Sequence, residues 1–209
     1  MPDPEIWSMT SKRGWPRIAY DKTVWIPCPQ HFNEQMSRAE WAEGFATLWW
    51  EASGFKVGQR ELRRRIEGLA KALLVLQQGI YETQPCHSAV IYLPNVDVSP
   101  IPVMVAAWDA AGDEETQLRM LVHADESEAV ETPLVEPFTT GPLGTGLKSE
   151  YLQRSNQGPD VTGVVNYAFR VADLETDVRV FTATPDLGRL QAAMPAIDEL
   201  VNSISIEPL

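Results

Sequence analysis

The hydrophobic period of this chain changes twice, and that change limits what it can fold into. Between residues 37 and 78, apolar side chains recur every three or four positions. They are Trp41, Phe45, Leu48, Trp49 and Ala52, then Leu62, Ile66, Leu69, Leu73 and Leu76. From residue 87 the period drops to two or dissolves into short apolar runs, as in "HSAVIYLP", "IPVMVAAWD" and "VTGVVNYAFRV". Helical spacing then returns in Leu187, Leu190, Met194, Ile197, Val201 and Ile204. A 3.6-residue period buries one stripe of a helix, and a period of two buries one face of a strand. Strands grouped in sequence, with helices before and after, favour an antiparallel sheet over a parallel one. The expectation is an α+β layered sandwich: a mostly antiparallel sheet of about six to seven strands with helices packed on its faces. All 209 residues form one domain in this reading, with residues 1–17 as a loosely tied N-terminal arm.

Local signals refine the pattern. Ser37 and Glu40 spell a capping box for the first helix, and Gly54 ends it. A second helix is expected over residues 59–78, ending at Gly79 and lying against the first. "RIAYDKTVWIPCP" reads as a first strand with an interruption, and "DEETQLRML" as a short helix or a polar hairpin crossing. "HSAVIYLP" and "IPVMVAAWD" are apolar on both faces, as strands covered on both sides are. "AVETPLVEPF", "GLKSEYLQR", "VTGVVNYAFRV" and "DVRVFTAT" complete the strands. In the last helix Thr184 is the expected cap and Pro185 the first helical residue. Pro195 implies a kinked helix or two short collinear ones.

Charge narrows the partners. The net charge is −12, and residues 94–209 hold 19 of the 29 acidic side chains but 6 of the 17 basic ones. An acidic surface repels phosphate backbones, so nucleic acid is not an expected partner. The basic stretch "KVGQRELRRRIEGLAK" reads as a solvated helix face. No run of about 18 apolar residues spans a membrane. The N-terminus lacks a basic segment followed by an apolar one, which reads as cytoplasmic.

Several motifs begin and none is completed. "GPLGTGLKS", residues 141–149, nearly matches a phosphate-binding loop, but Leu147 intrudes before Lys148 and Ser149 and no helical stripe follows. A tight connection between strands is the expected role of its glycines, with no nucleotide bound there. His31 and Glu34 have a helical metal spacing with no second pair, and no calcium-loop pattern or G-x-S-x-G elbow occurs. Neither a metal nor a cofactor is expected. Cys28 and Cys86 fit no metal spacing and read as two partly buried strand thiols, a disulfide between them remaining open. Seven tryptophans are many for this length. Trp41 and Trp49 share a helix face and fit a core. Trp50, rotated about 100° away, is expected at the rim where a partner uses it. Trp7 and Trp15 are expected to dock across the body or onto another subunit.

The stretch "VVNYAFRV…DVRVFTATPDLGRLQAAMPAIDELVNSISI" resembles the closing segment of the Mog1/PsbP-like superfamily, a strand pair leading to a helix of the form L..P.ID.L..SI. "TPLVEPFTTGPLGTGLKSEYL" is similar to its largely uncharacterised actinobacterial branch. The resemblance is best over residues 130–206, and the helix pair at 37–78 is not an evident part of the common core. It implies no catalytic residue, because that superfamily has no shared active site. It implies a binding or assembly protein, as in a GTPase-binding factor, a photosystem subunit, lipoproteins and secretion-effector chaperones. The expected function is a non-enzymatic binding or chaperone-like module that recognises a protein partner through a sheet face lined by Tyr92, Trp108, Tyr151 and Tyr167, with Trp50 beside it. It acts as a homodimer or as a monomer with an aromatic groove. The alternative is a hydrolase or small-molecule-binding enzyme using dispersed carboxylates.

Overall fold

A computed structural model describes residues 14–83, 86–154 and 161–208. Trp7 lies outside the described residues. The elements run β1 (Gly14–Ile18), β2 (Trp25–Cys28), α1 (Arg38–Ala52), α2 (Gln59–Thr83), β3 (Ser88–Tyr92), β4 (Ile101–Asp109) and α3 (Glu114–Leu121). Then come β5 (Leu134–Thr140), β6 (Gly144–Arg154), β7 (Val161–Val171), β8 (Thr176–Thr184), α4 (Leu187–Asn202) and β9 (Ile204–Pro208). Seven strands form one sheet in the order β2-β3-β4-β8-β7-β6-β5, every neighbouring pair antiparallel. β1 and β9 pair antiparallel in a separate ribbon. The expected α+β architecture is what the chain adopts. Among the described residues no helix is long and apolar enough to cross a membrane.

Both sheet faces are packed. One face carries Val103, Val105, Val165, Tyr167, Phe169, Val178 and Val180 against Leu190, Met194, Ile197 and Val201 of α4, with Ile204 of the β1–β9 ribbon alongside. The other face splits in two. Ile26, Ile91, Met104, Ala106 and Phe181 meet Trp41, Trp49, Leu73 and Ile80 of α1 and α2. Ala168 meets Leu118, Leu121 and Val122 around α3. Each buried aliphatic side chain contributes about 1.5–3 kcal/mol relative to exposure. Indole hydrogen bonds from Trp41 Nε1 to the Pro27 carbonyl (3.1 Å) and from Trp49 Nε1 to the Leu93 carbonyl (2.6 Å) fix α1 over the sheet.

Several expectations shift. The stretch expected as one interrupted strand is two strands in two different sheets, and Gly14–Arg17 of the expected arm is held in β1. The Ser37–Glu40 capping box forms, but Leu48 is 53% exposed and Trp50, expected at the rim, is 5% exposed. α1 is gripped on two sides, by the sheet and by α2, so its buried face is wider than one stripe. Trp50 sits under Arg65 of α2, 5.2 Å from guanidinium to ring. α2 runs through Gly79 to Thr83, because Ile80 is buried and Tyr81 donates to the Cys28 carbonyl at 2.6 Å. Packing outweighs the local preference of glycine to end a helix. Cys86 precedes β3 rather than lying in a strand, and it and Cys28 are free and buried. Burial pushes both thiols up to about 12. α3 is a helix capped by Asp113. Asp186, not Thr184, caps α4, while the Thr184 hydroxyl takes the Asp186 N–H. α4 is continuous with Pro195 inside it, and Ile204 begins β9 instead of extending the stripe.

Candidate functional site

A cleft of about 310 Å³ lies between the first half of α4 and strands β5, β6 and β7. Its walls are aliphatic: Leu134, Leu152, Val165, Leu187, Leu190 and Met194. The register explains why these residues meet. Leu134 pairs with Glu150, which pairs with Val165, while Leu152 pairs with Gly163, so one sheet face presents them together. Gly163 lets α4 approach closely: a Cβ there would lie 2.7 Å from Leu190 Cδ2 and 2.9 Å from Leu187 Cδ2. The polar residues lining the cleft are Glu131, Thr132, Glu150, Tyr151 and Gln191, and Tyr151 is the one aromatic expected at a partner site that borders it. Pro195 also withholds the N–H that would bond the Gln191 carbonyl in an unbroken helix. Two of the wall residues, Leu134 and Leu187, are 63% and 37% exposed.

An ion cluster adjoins the cleft, sharing Glu150 with it. Lys148 and Tyr167 are cross-strand partners one pair further along the sheet. The buried Lys148 Nζ contacts Glu150 Oε1 at 2.9 Å and Asp198 Oδ1 at 3.3 Å. The Tyr167 hydroxyl donates to Asp198 Oδ1 at 2.6 Å. The ammonium also lies 5.8 Å from the Phe138 ring centre and 5.5 Å from that of Tyr167, within cation–π range. Burial pulls the Lys148 pKa down, but the Glu150 hydrogen bond and the Asp198 charge outweigh it and hold the group above the ordinary lysine value. Burial, then the hydrogen bond to Asp198, push the Tyr167 hydroxyl far above the usual phenol range. A lysine held as ammonium is not a nucleophile, and a tyrosine held as phenol is not a base. "GPLGTGLKS" is thus the turn of the β5–β6 hairpin and the first half of β6, with its lysine turned inward.

The opposite face holds a second polar group. Arg179 of β8 is buried over the Phe181 ring at 4.5 Å and donates through Nε and Nη2 to Asn166 Oδ1 at 3.1 and 2.6 Å. Among the described residues no carboxylate pairs with it. Burial lowers its pKa to about 10, leaving it charged near neutrality. Ser149 donates to the Val122 carbonyl, and His123, in the left-handed region at φ 56°, sets Nδ1 2.9 Å from Glu126 Oε2. Among the described residues, the carboxylates with a displaced pKa move down, toward ionisation: Asp21, Glu40, Glu61, Asp113 and Glu126.

The five aromatics expected at a partner site do not gather. Tyr92 and Tyr167 lie on the α4 face, Trp108 and Tyr151 on the other, and Trp50 between α1 and α2. Tyr167, Tyr151 and Trp50 are buried, whereas Tyr92 and Trp108 are half-buried. Tyr92 packs on Trp25 at 4.9 Å under the Arg189 guanidinium. The expected aromatic groove is absent among the described residues, because large rings fill core positions on both faces. The cleft beside α4 is walled mainly by aliphatic side chains instead. Trp15 docks across the body, its ring 5.3 Å from that of His87. Sequence reading missed Glu131, Leu134, Leu152 and Gln191, which come from separate segments and share no motif.

No family model matches this chain, and no curated protein matches it as a relative.

Proposed function

We propose that this chain is a non-enzymatic binding module that takes a protein segment in the cleft between α4 and β5–β7. The observation that carries the reading is the make-up of the cleft: mostly aliphatic walls, with the polar residues Glu131, Thr132, Glu150, Tyr151 and Gln191 among them. An apolar recess with a few placed polar groups suits recognition. In the neighbouring ion cluster Lys148 is held as ammonium and Tyr167 as phenol, so neither of these two is a nucleophile or a base. The resemblance of residues 130–206 to the Mog1/PsbP-like superfamily supports the same reading, since its members bind and assemble. The partner is a segment with apolar side chains for the walls and basic ones for Glu131 and Glu150.

Site-specific photo-crosslinking tests this. A photoreactive residue at Leu134 or Leu187 is expected to trap a discrete protein from source cells. The control position is Val75 on α2, 63% exposed and far along the chain from the cleft. Trapping at Val75 equal to that at both cleft positions would sink the reading.

A further inference from the structure

β5 ends the seven-stranded sheet, bonded to β6 on one side and to no other strand among the described residues. Its hydrogen-bonding phase can be read in two ways. Proline enters a ladder only where its missing N–H points away from the neighbour, so Pro137 faces outward. Independently, the Leu152 carbonyl accepts from Val130 N at 2.7 Å and Arg154 N donates to Glu128 O at 3.3 Å. Even-numbered residues of β6 therefore address the β5 side. Their partners Leu134, Glu136 and Phe138 turn their backbone groups inward. Both routes leave the N–H of Val135 and Thr139, and the carbonyls of Val135, Pro137 and Thr139, pointing out from the edge.

The side chains of this edge carry a sign. Leu134, Glu136 and Phe138 share the cleft face. Glu136 is exposed and lies diagonal to Glu150 across the β5–β6 pair, and Lys148, its cross-strand partner, is already engaged by Glu150 and Asp198. An open edge invites an added strand. A second copy would bring Glu136 against an identical acidic edge in a chain of net charge −12. A basic strand meets no such repulsion.

Resting on the proposed function, we infer that the partner segment binds extended, as an eighth strand on β5, with basic and apolar side chains alternating. Main-chain bonds form to Val135 and Thr139. Alternate side chains reach Glu136, Glu131 and the apolar mouth at Leu134 and Leu187.

The probe is a synthetic peptide of about seven residues, an ordinary strand length, alternating lysine and valine. The full chain is titrated at low salt, and backbone amide exchange is followed. Binding is expected with slowed exchange at Val135 and Thr139, and a glutamate–valine peptide is expected not to bind. Val135→Pro removes an outward donor without touching the β6 ladder and is expected to weaken binding about tenfold. Glu136→Lys, at an exposed site, is expected to do the same and serves if the proline variant does not fold. Unchanged affinity in the folded variants, or slowed exchange elsewhere, overturns strand addition. Failure of the peptide to bind overturns it too, and trapping at Leu134 or Leu187 would then leave the cleft reading standing. Light scattering that shows a dimer abolished by Val135→Pro makes a second copy the occupant and overturns the basic segment.

Discussion

At the scale of single residues, the buried Arg179 is the least expected feature. A buried cation that donates to the neutral Asn166 amide, with the face of Phe181 beside it, depends strongly on that acceptor. Asn166→Ala removes that acceptor and is expected to cost about 1–3 kcal/mol or more. Arg179→Met removes the charge along with the need for it and is expected to cost less, or to stabilise. Urea denaturation of the two variants checks the order, and the reverse order would mean that the guanidinium itself holds the sheet together. His87 adds a pH dependence. Its Nδ1 accepts the Ala107 N–H at 2.9 Å, so the ring is neutral there, and burial lowers its pKa. His123 is lowered in the same direction, by burial and then by the charge of Arg179. The unfolded chain therefore binds protons first. Stability is full above the unfolded histidine value of about 6.5 and falls as the pH drops toward the lower folded values. The thermal midpoint is expected to fall between about pH 6.5 and 5, above the range where carboxylates titrate. His87→Asn, which keeps an acceptor, should flatten that slope; an unchanged slope would remove His87 from the account.

Elements respond to closer packing and to lost packing in different ways. α4 binds the sheet through Leu190, Met194, Ile197 and Val201, all buried. Leu190→Ala is expected to cost about 2–5 kcal/mol in chemical denaturation. A loss below about 1 kcal/mol would mean that α4 is not packed as described. In β6 the sensitive position is Gly146. A Cβ there would sit 2.0 Å from the Ala168 carbonyl oxygen and 2.7 Å from Phe169 Cδ1. The first contact is backbone, which cannot swing aside. Gly146→Ala is thus expected to cost about 1–3 kcal/mol or more. The contacts at Gly163 are the tips of two leucines, so Gly163→Ala should cost less and narrow the cleft instead. Comparing the two variants separates a backbone clash from a side-chain one.

Charge acts on the whole molecule. With a net charge of −12, the folded chain repels itself, and its surface ion pairs, such as Arg119–Asp125, are exposed and weak. Raising NaCl from about 0.01 to about 0.15 M shrinks the Debye length from about 30 to about 8 Å. The thermal midpoint is expected to rise over that range, while affinity for a basic segment falls. A midpoint that drops instead would show that the surface pairs outweigh the repulsion.

Periodicity set the element types over nearly the whole chain, because the 3.6 and 2.0 spacings reflect which side of each segment meets water. β4 and β7 run from residue to residue as their apolar runs do, and the Ser37–Glu40 cap forms because its partners lie three residues apart. What lay beyond the sequence depends on contacts between distant segments. Gly79 does not stop α2, because Tyr81 and Ile80 find partners on β2 and in the core. Trp50 is covered because α2 lies over it. The cleft could not be read because Glu131, Leu152, Gly163 and Leu187 become neighbours only through strand register and the approach of α4. The outward groups of β5 were hidden for a similar reason: a chain does not say which of its strands will end the sheet, and only the order of all seven leaves the backbone of Val135 and Thr139 without a neighbouring strand among the described residues.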